Sequence, residues 1–302
     1  MKKRFPFLLI ILIFGSFACK QAPVPPNYDI QKSVVSDSAM VVSPHPLASE
    51  VGVDILKQGG NAVDATVAVQ FALAVVYPRA GNIGGGGFMV FRQSDGSIDA
   101  IDYREKAPGA ASRDMYLDAE KNIIKGLSTK GHLASGVPGS VDGLIQAHEK
   151  YGSLDFKTVI QPAIDLARNG FKITTTEANR FNSFKEAFSE YNTDDSPFIR
   201  NGEWMAGHML VQTNLANTLE RIRDQGRDGF YAGETADYIA AEMARGNGII
   251  SKQDLADYQA QWREPITRLY KDYKIISMPP SSSGGVALLQ LMEMVEQYPL
   301  AE

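Results

Sequence analysis

The spacing of apolar residues predicts an amphipathic helix followed by a buried one early in the chain. Leu47, Val51 and Ile55 recur at four-residue intervals, which is typical of the apolar face of a helix. The segment 62–76 is apolar almost all round, so a helix there should lie between layers of the fold and not on its surface. Asn61 directly precedes this segment and has a side chain suited to capping its N-terminus.

Apolar runs bounded by turn residues predict strands. Residues 88–92 and 98–103 flank a short polar stretch around Asp95 and Gly96, a pattern that favours a β-hairpin. Shorter apolar runs predict strands at 40–43 and 273–278. Strands interspersed with apolar helices favour an α/β fold in which helices are layered against a sheet.

Helices dominate beyond residue 141. Ser140 and Asp155 are predicted to cap two of them, and the residues from Ser251 to Asp254 have the pattern of a capping box. The segment 286–298 carries apolar residues on one face, which predicts a further helix near the end of the sequence.

The first 18 residues have the pattern of a signal peptide. Basic residues precede the apolar run 7–14, which is well short of the ~20 residues that a membrane-spanning helix needs. Cys19 follows directly and is the only cysteine, so we expect it to carry lipid; the alternative is that it belongs to the discarded peptide. Residues 19–35 would then form a proline-rich tether. This predicts an exported protein, periplasmic or in the cell envelope, that contacts the membrane only through a lipid anchor.

Charge and missing motifs exclude several classes of function. The formal net charge of −5 argues against a nucleic-acid-binding surface. The glycine-rich stretch 81–87 contains neither Gly-Lys-Ser/Thr nor G-x-G-x-x-G, and no H-E-x-x-H motif occurs among the four histidines. Neither G-x-S-x-G nor S-x-x-K is present, so the usual serine nucleophiles lack support. We therefore expect no cofactor and no metal.

Several segments together resemble the γ-glutamyltranspeptidase family, in its order and spacing. They are 61–65 (NAVDA), 81–89 (GNIGGGGFM), 102–108 (DYREKAP), 135–139 (SGVPG), 229–233 (GFYAG), 254–258 (DLADY) and 279–285 (PPSSSGG). Each segment alone is weak evidence, but the set covers nearly all of residues 36–302. That region therefore looks like the large-subunit part of such a protein.

The resemblance implies an N-terminal-nucleophile hydrolase fold, a four-layer αββα sandwich that would be incomplete in this chain. The family makes a precursor that cuts itself into a large and a small subunit, and the small subunit's N-terminal threonine attacks glutathione or a related γ-glutamyl compound. The γ-glutamyl group then passes to water, an amino acid or a peptide. Here that threonine is expected beyond Glu302, so no catalytic residue is assigned in this chain, and the chain alone is expected to be inactive. The expected partners are the small subunit and these small molecules.

The resemblance assigns one substrate-binding residue, Arg104. It matches the arginine that holds the α-carboxylate of the γ-glutamyl group, a task that suits a planar, always charged guanidinium. From the residues alone, a structural ion pair with a nearby acid is the alternative. Glu105 and Lys106 are expected to shape the loop, and glycines 84–87 to permit close backbone approach or a positive φ.

Three functions stay open at this point. The first is γ-glutamyl transfer and hydrolysis. The second is the chemistry of a related acylase or of an enzyme that cleaves poly-γ-glutamate. The third is a lipid-anchored binding protein that keeps the fold without catalysis.

Overall fold

The computed structural model describes residues 33–193 and 196–299. The signal-peptide segment and Cys19 lie outside these residues. The helices are α1 Pro46–Lys57, α2 Ala62–Val76, α3 Ser140–Tyr151, α4 Phe156–Asn169, α5 Thr175–Ser183, α6 Lys185–Tyr191, α7 Thr213–Gln225, α8 Asp228–Tyr231, α9 Gly233–Arg245, α10 Lys252–Asp257 and α11 Ser283–Val295. The strands are β1 Phe88–Arg92, β2 Ile98–Asp102, β3 Phe171–Lys172, β4 Met209–Leu210, β5 Gln261–Arg263, β6 Ile266–Tyr270 and β7 Tyr273–Ser277.

Helix α2 lies at the centre of the core, as its apolar pattern predicts. Eleven of its 15 residues are buried, and it packs against α1 and α4, while α4 also packs against α7. The Asn61 side chain accepts hydrogen bonds from the Val63 and Asp64 amides, and the Asp64 carboxylate accepts one from the Asn61 amide. This reciprocal capping box fixes where the helix begins, so the predicted cap is confirmed.

The predicted hairpin is confirmed and carries a third strand. Strands β1 and β2 pair antiparallel with Phe88 opposite Asp102, and β5 adds to the other edge of β2 with Gln261 opposite Asp102. Asp102, the last residue of β2, therefore has a neighbouring strand on both sides. The layering of helices against this antiparallel sheet agrees with the predicted α/β class.

Two local predictions are wrong. Residues 40–43 form no strand, because no strand of the described chain pairs with them; Met40 and Val42 are exposed. Ser140 does not cap α3: it is the helix's first residue, and Gly139 occupies the cap position. Within residues 33–193 and 196–299, the buried Ser140 Oγ has no hydrogen-bond partner. The caps at Asp155 and Ser251 are confirmed.

Helix α11 and the β6–β7 hairpin pack on each other toward the C-terminal end of the sequence. Helix α11, Ser283–Val295, overlaps most of the predicted segment 286–298. Its face away from the hairpin is apolar and exposed, including Leu291 and Met294. Across residues 33–193 and 196–299, no helix has the length and apolar character needed to cross a membrane.

Candidate functional site

Arg104 lies where the chain leaves β2, with its backbone fixed on both sides. Its amide donates to Asp102 Oδ1 at 3.1 Å, and its carbonyl oxygen accepts from the Tyr258 hydroxyl at 2.9 Å. The side chain, in contrast, is 62% exposed and has an ion pair at 3.4 Å with its sequence neighbour Glu105. The backbone of Arg104 is thus fixed, while its guanidinium remains open to a ligand.

The residue before Arg104 is anchored in the interior. Tyr103 is 6% exposed, and burial raises the pKa of its hydroxyl to about 12. Its ring occupies space that exists only because α3 has a glycine there: a β carbon on Gly143 would lie 2.3 Å from Tyr103 Cγ. A β carbon on Gly139 would lie 2.1 Å from the Tyr103 carbonyl oxygen. The close packing leaves Arg104 little freedom to shift along the strand.

Asp102 uses both carboxylate oxygens within the protein. Oδ1 accepts from the Arg104 amide, while Oδ2 accepts from Arg263 Nε at 2.8 Å and from Ser281 Oγ at 3.2 Å. Its side chain is only 7% exposed. The carboxylate therefore joins the end of β2 to β5 and to the loop that precedes α11.

The segment 258–263 supports the exit of β2 at further points. Lys106 Nζ donates to the Gln259 carbonyl oxygen at 2.7 Å and lies 4.9 Å from the centre of the Tyr258 ring. The Tyr258 ring stacks on Tyr231, and burial is the largest cause that raises the pKa of both hydroxyls. Lys106 thus connects two loops within the protein, as expected of a residue that shapes the site.

The glycine-rich segment lies against the Arg104 strand exit. A β carbon on Gly86 would lie 2.5 Å from the Tyr103 carbonyl oxygen, and Gly85 O accepts from the Gly139 and Ser140 amides. Close backbone approach is therefore the reason for glycine here. None of glycines 84–87 has a positive φ, so of the two expected reasons for glycine, close backbone approach is the one that applies.

The histidines of the structure take part in other contacts. His132 Nε2 lies 2.7 Å from Glu242, His148 lies 3.4 Å from Asp64, and His208 lies 2.6 Å from Arg200. Where the structure describes the chain, no group of three or more His, Cys, Asp or Glu side chains is placed to hold a metal ion.

Asp102 and Tyr258 are the site residues that sequence reasoning missed. Both lie in segments that carry the family resemblance, and only that position in the motifs could have indicated them. Their partners are far away in sequence: Tyr258 is 154 residues from Arg104, and Arg263 is 161 residues from Asp102.

Among solved structures, γ-glutamyltranspeptidases share the fold of this chain. The crystal structure of the Helicobacter pylori γ-glutamyltranspeptidase superposes with a TM-score of 0.86 at 44% sequence identity, covering 89% of this chain and 77% of that one. The family model described as "Gamma-glutamyltranspeptidase" matches residues 48–302. The chain belongs to the γ-glutamyltranspeptidase family, as its motifs predict.

Curated relatives show the range of activities in this family. A protein of Pseudomonas sp. (strain A14) named glutathione hydrolase proenzyme is 45% identical over 292 residues, which cover 96% of this chain and 49% of that protein. An acylase ACY 1 proenzyme of Pseudomonas sp. (strain SE83) is 37% identical over 92% of this chain and 52% of its own length. The chain therefore spans about half the length of these relatives.

Proposed function

We propose that this chain is the large-subunit part of a precursor that transfers the γ-glutamyl group of glutathione and related compounds to water, amino acids or peptides. The nucleophile in this proposal is a threonine in the segment after Glu302, exposed as the small subunit's N-terminus by self-cleavage. Its own α-amine can act as the base, so this chain need not supply a catalytic side chain. The chain contributes Arg104, which binds the substrate's α-carboxylate.

The geometry of Arg104 is the observation that carries the proposal. A structural arginine is normally held through its guanidinium, but Arg104 is held through its backbone amide and carbonyl. Among the described residues, its guanidinium forms one ion pair, with the adjacent Glu105 at 3.4 Å. An exposed planar cation on a fixed backbone is suited to grip a carboxylate with two hydrogen bonds.

Replacing Arg104 in the full-length protein tests the proposal. Arg104→Ala should lower kcat/KM for a γ-glutamyl anilide by roughly 10- to 150-fold, the equivalent of about 1.5–3 kcal/mol for a charged hydrogen bond. Arg104→Lys should restore activity only in part, because an ammonium group cannot make the paired contact. An anilide that lacks the α-carboxylate should react equally with the wild type and with Arg104→Ala.

Arg113 supplies a matched control. It is also exposed, and it also pairs with the acid that follows it in sequence, through Nε at 2.8 Å from Asp114. Arg113→Ala should leave kcat/KM unchanged. If Arg104→Ala behaves like Arg113→Ala with the γ-glutamyl anilide, Arg104 does not bind the substrate.

An acylase acting on a different acyl group is the second candidate, favoured by the 37% identity to the acylase ACY 1 proenzyme. The same assays separate the two. An enzyme that prefers amides without an α-carboxylate, and whose preferred reaction is indifferent to Arg104→Ala, is an acylase of that other class.

We further propose that the protein is exported and anchored to the cell envelope through lipid on Cys19. The basic, apolar and proline-rich segments around this residue support the proposal. A lipid anchor would hold the enzyme where extracellular γ-glutamyl compounds can reach it.

A further inference from the structure

The Asp102 carboxylate determines where the Arg104 amide can lie. Two donors, Arg263 Nε at 2.8 Å and Ser281 Oγ at 3.2 Å, hold Oδ2, and this leaves Oδ1 directed at the Arg104 amide at 3.1 Å. A carboxylate held at one oxygen by a charged donor cannot rotate freely. The direction in which Asp102 accepts is therefore set by β5 and by the loop before α11.

Asp102 has no free oxygen with which to bind substrate. Both oxygens are occupied by groups of the protein, and the side chain is 7% exposed. Its negative charge is offset by Arg263, whose side chain is 38% exposed. Any effect of Asp102 on substrate binding must pass through a residue that it holds, and Arg104 is the one of these to which the proposed function assigns a substrate contact.

We infer that Asp102 is a positioning residue for substrate carboxylate binding: it fixes the Arg104 backbone so that the guanidinium stays in place for the α-carboxylate. The inference rests on the proposed function, and it deepens that proposal by naming what orients the arginine. Arg263 and Ser281 hold the Asp102 carboxylate, and Asp102 in turn holds the Arg104 amide. The loop that contains Ser281 is thereby connected to the substrate-binding arginine, although the two are far apart in sequence.

A purely structural role for Asp102 predicts a different result. If the carboxylate served only to neutralise Arg263 and hold β5, its loss would destabilise the protein and impair every substrate alike. If it acts through Arg104, its loss should weaken the binding of substrates that have an α-carboxylate and leave the binding of substrates without one unchanged. The effect should also disappear when Arg104 is already absent, because coupled residues are not additive.

The test is a double-mutant cycle on the processed enzyme from the full-length precursor. Asp102→Asn keeps the shape of the side chain but leaves a single acceptor oxygen, so the side chain can no longer accept from both the Arg104 amide and Arg263. It should raise KM for a γ-glutamyl anilide by about 3- to 10-fold, the range for loss of one hydrogen bond. The value of kcat should change much less, because carboxylate binding is shared by the ground state and the transition state. In the Arg104→Ala background, Asp102→Asn should add no further rise.

Asp99→Asn is the matched control on the same strand. Asp99 accepts from Lys150 Nζ at 2.6 Å and from the Tyr151 hydroxyl at 2.7 Å, and it makes no contact with Arg104 in the described structure. Its substitution should lower the melting temperature without raising KM. Arg263→Met is the alternative variant if Asp102→Asn yields no folded enzyme. It frees Asp102 Oδ2 from its charged donor while leaving Asp102 Oδ1 able to accept from the Arg104 amide.

The outcomes separate the inference from the proposal beneath it. The positioning role is overturned if Asp102→Asn raises KM as much in the Arg104→Ala background as in the wild type. It is also overturned if Asp102→Asn raises KM equally for the anilide without an α-carboxylate. Both results leave the Arg104 proposal intact. A wild-type KM for both Asp102→Asn and Arg263→Met also overturns the positioning role. An Arg104→Ala enzyme with wild-type KM and kcat instead overturns the assignment of Arg104 as the carboxylate-binding residue, on which the inference rests.

Discussion

Asp64 should be a main determinant of stability, because it is a fully buried carboxylate that several donors share. It accepts from the Asn61 amide at 2.8 Å, from Ser153 Oγ at 2.5 Å and amide at 3.0 Å, and from the Leu154 amide at 3.4 Å. The side chain has 0% exposure. It therefore joins the start of the central helix α2 to the loop between α3 and α4.

The expected magnitude follows from what each substitution leaves behind. Asp64→Ala removes the acceptor and leaves the Asn61 and Leu154 amides facing an emptied site. We expect a loss of roughly 3 kcal/mol in the free energy of unfolding, the lower end of the range for breaking a buried charged network, because Ser153 is at the surface and water can solvate it. Asp64→Asn keeps one oxygen and should cost roughly 1–2 kcal/mol.

Urea unfolding of the full-length protein, followed by tryptophan fluorescence, measures these losses. Asp54→Ala is the control: this aspartate in α1 is 65% exposed and, where the structure describes the chain, forms one ion pair, with Lys57 at 3.5 Å. Its loss should be nearly neutral. The reasoning is refuted if Asp64→Ala destabilises the protein no more than Asp54→Ala does.

The same carboxylate gives a pH dependence with a defined sign. Burial by itself raises the pKa of Asp64, but the hydrogen bonds from Ser153, Asn61 and Leu154 outweigh it and hold the pKa below its ordinary value of 3.8. The folded state therefore binds this proton less readily than the unfolded state. The contribution of Asp64 is fully present above pH 3.8 and is lost as the pH falls through the lower folded value. The stability gap between the wild type and Asp64→Asn should narrow there.

Three further changes have defined outcomes. Gly143→Ala should cost about 1–3 kcal/mol in urea unfolding, because its β carbon would overlap the Tyr103 ring; no loss would mean that the ring moves freely. The hydrogen bond from Arg245 outweighs burial and lowers the pKa of Glu242 to about 2. The wild type should therefore melt at a higher temperature than Glu242→Gln above pH 4.5, and this difference should shrink as the pH falls toward 2. A difference that grows on acidification would contradict this sign. Cys19→Ala should abolish labelling by a fatty-acid analogue, and equal labelling of wild type and variant would exclude lipid at this residue.

Local sequence was sufficient where one segment determines its own structure. The cap at Asn61, the all-apolar helix α2 and the hairpin around Asp95 depend on residues within a few positions of each other. The strand expected at 40–43 failed because an apolar run becomes a strand only when another strand pairs with it. The cap expected at Ser140 failed because the helix begins one residue earlier than predicted: Gly139 is at the cap position, and the Gly139 and Ser140 amides donate to the distant Gly85 carbonyl oxygen.

The site was predictable only in part, for a different reason. Arg104 could be assigned because a motif resemblance names it. The residues that hold its backbone could not, because Ser281 is 179 residues from Asp102 and Tyr258 is 154 residues from Arg104. Contacts over such separations come from the tertiary fold, and no local pattern in the sequence specifies them.

The packing of Tyr103 against α3 restricts which substitutions this part of the chain can accept. Because a β carbon at Gly143 or Gly139 would come within 2.3 Å or 2.1 Å of Tyr103 atoms, neither glycine can acquire a side chain while the strand stays in place. A smaller residue at position 103 would make room for a side chain at Gly143 but not at Gly139, whose β carbon would meet the Tyr103 carbonyl oxygen and the Tyr258 hydroxyl. A side chain at Gly143 therefore requires a second change at Tyr103, whereas a side chain at Gly139 requires the backbone itself to move.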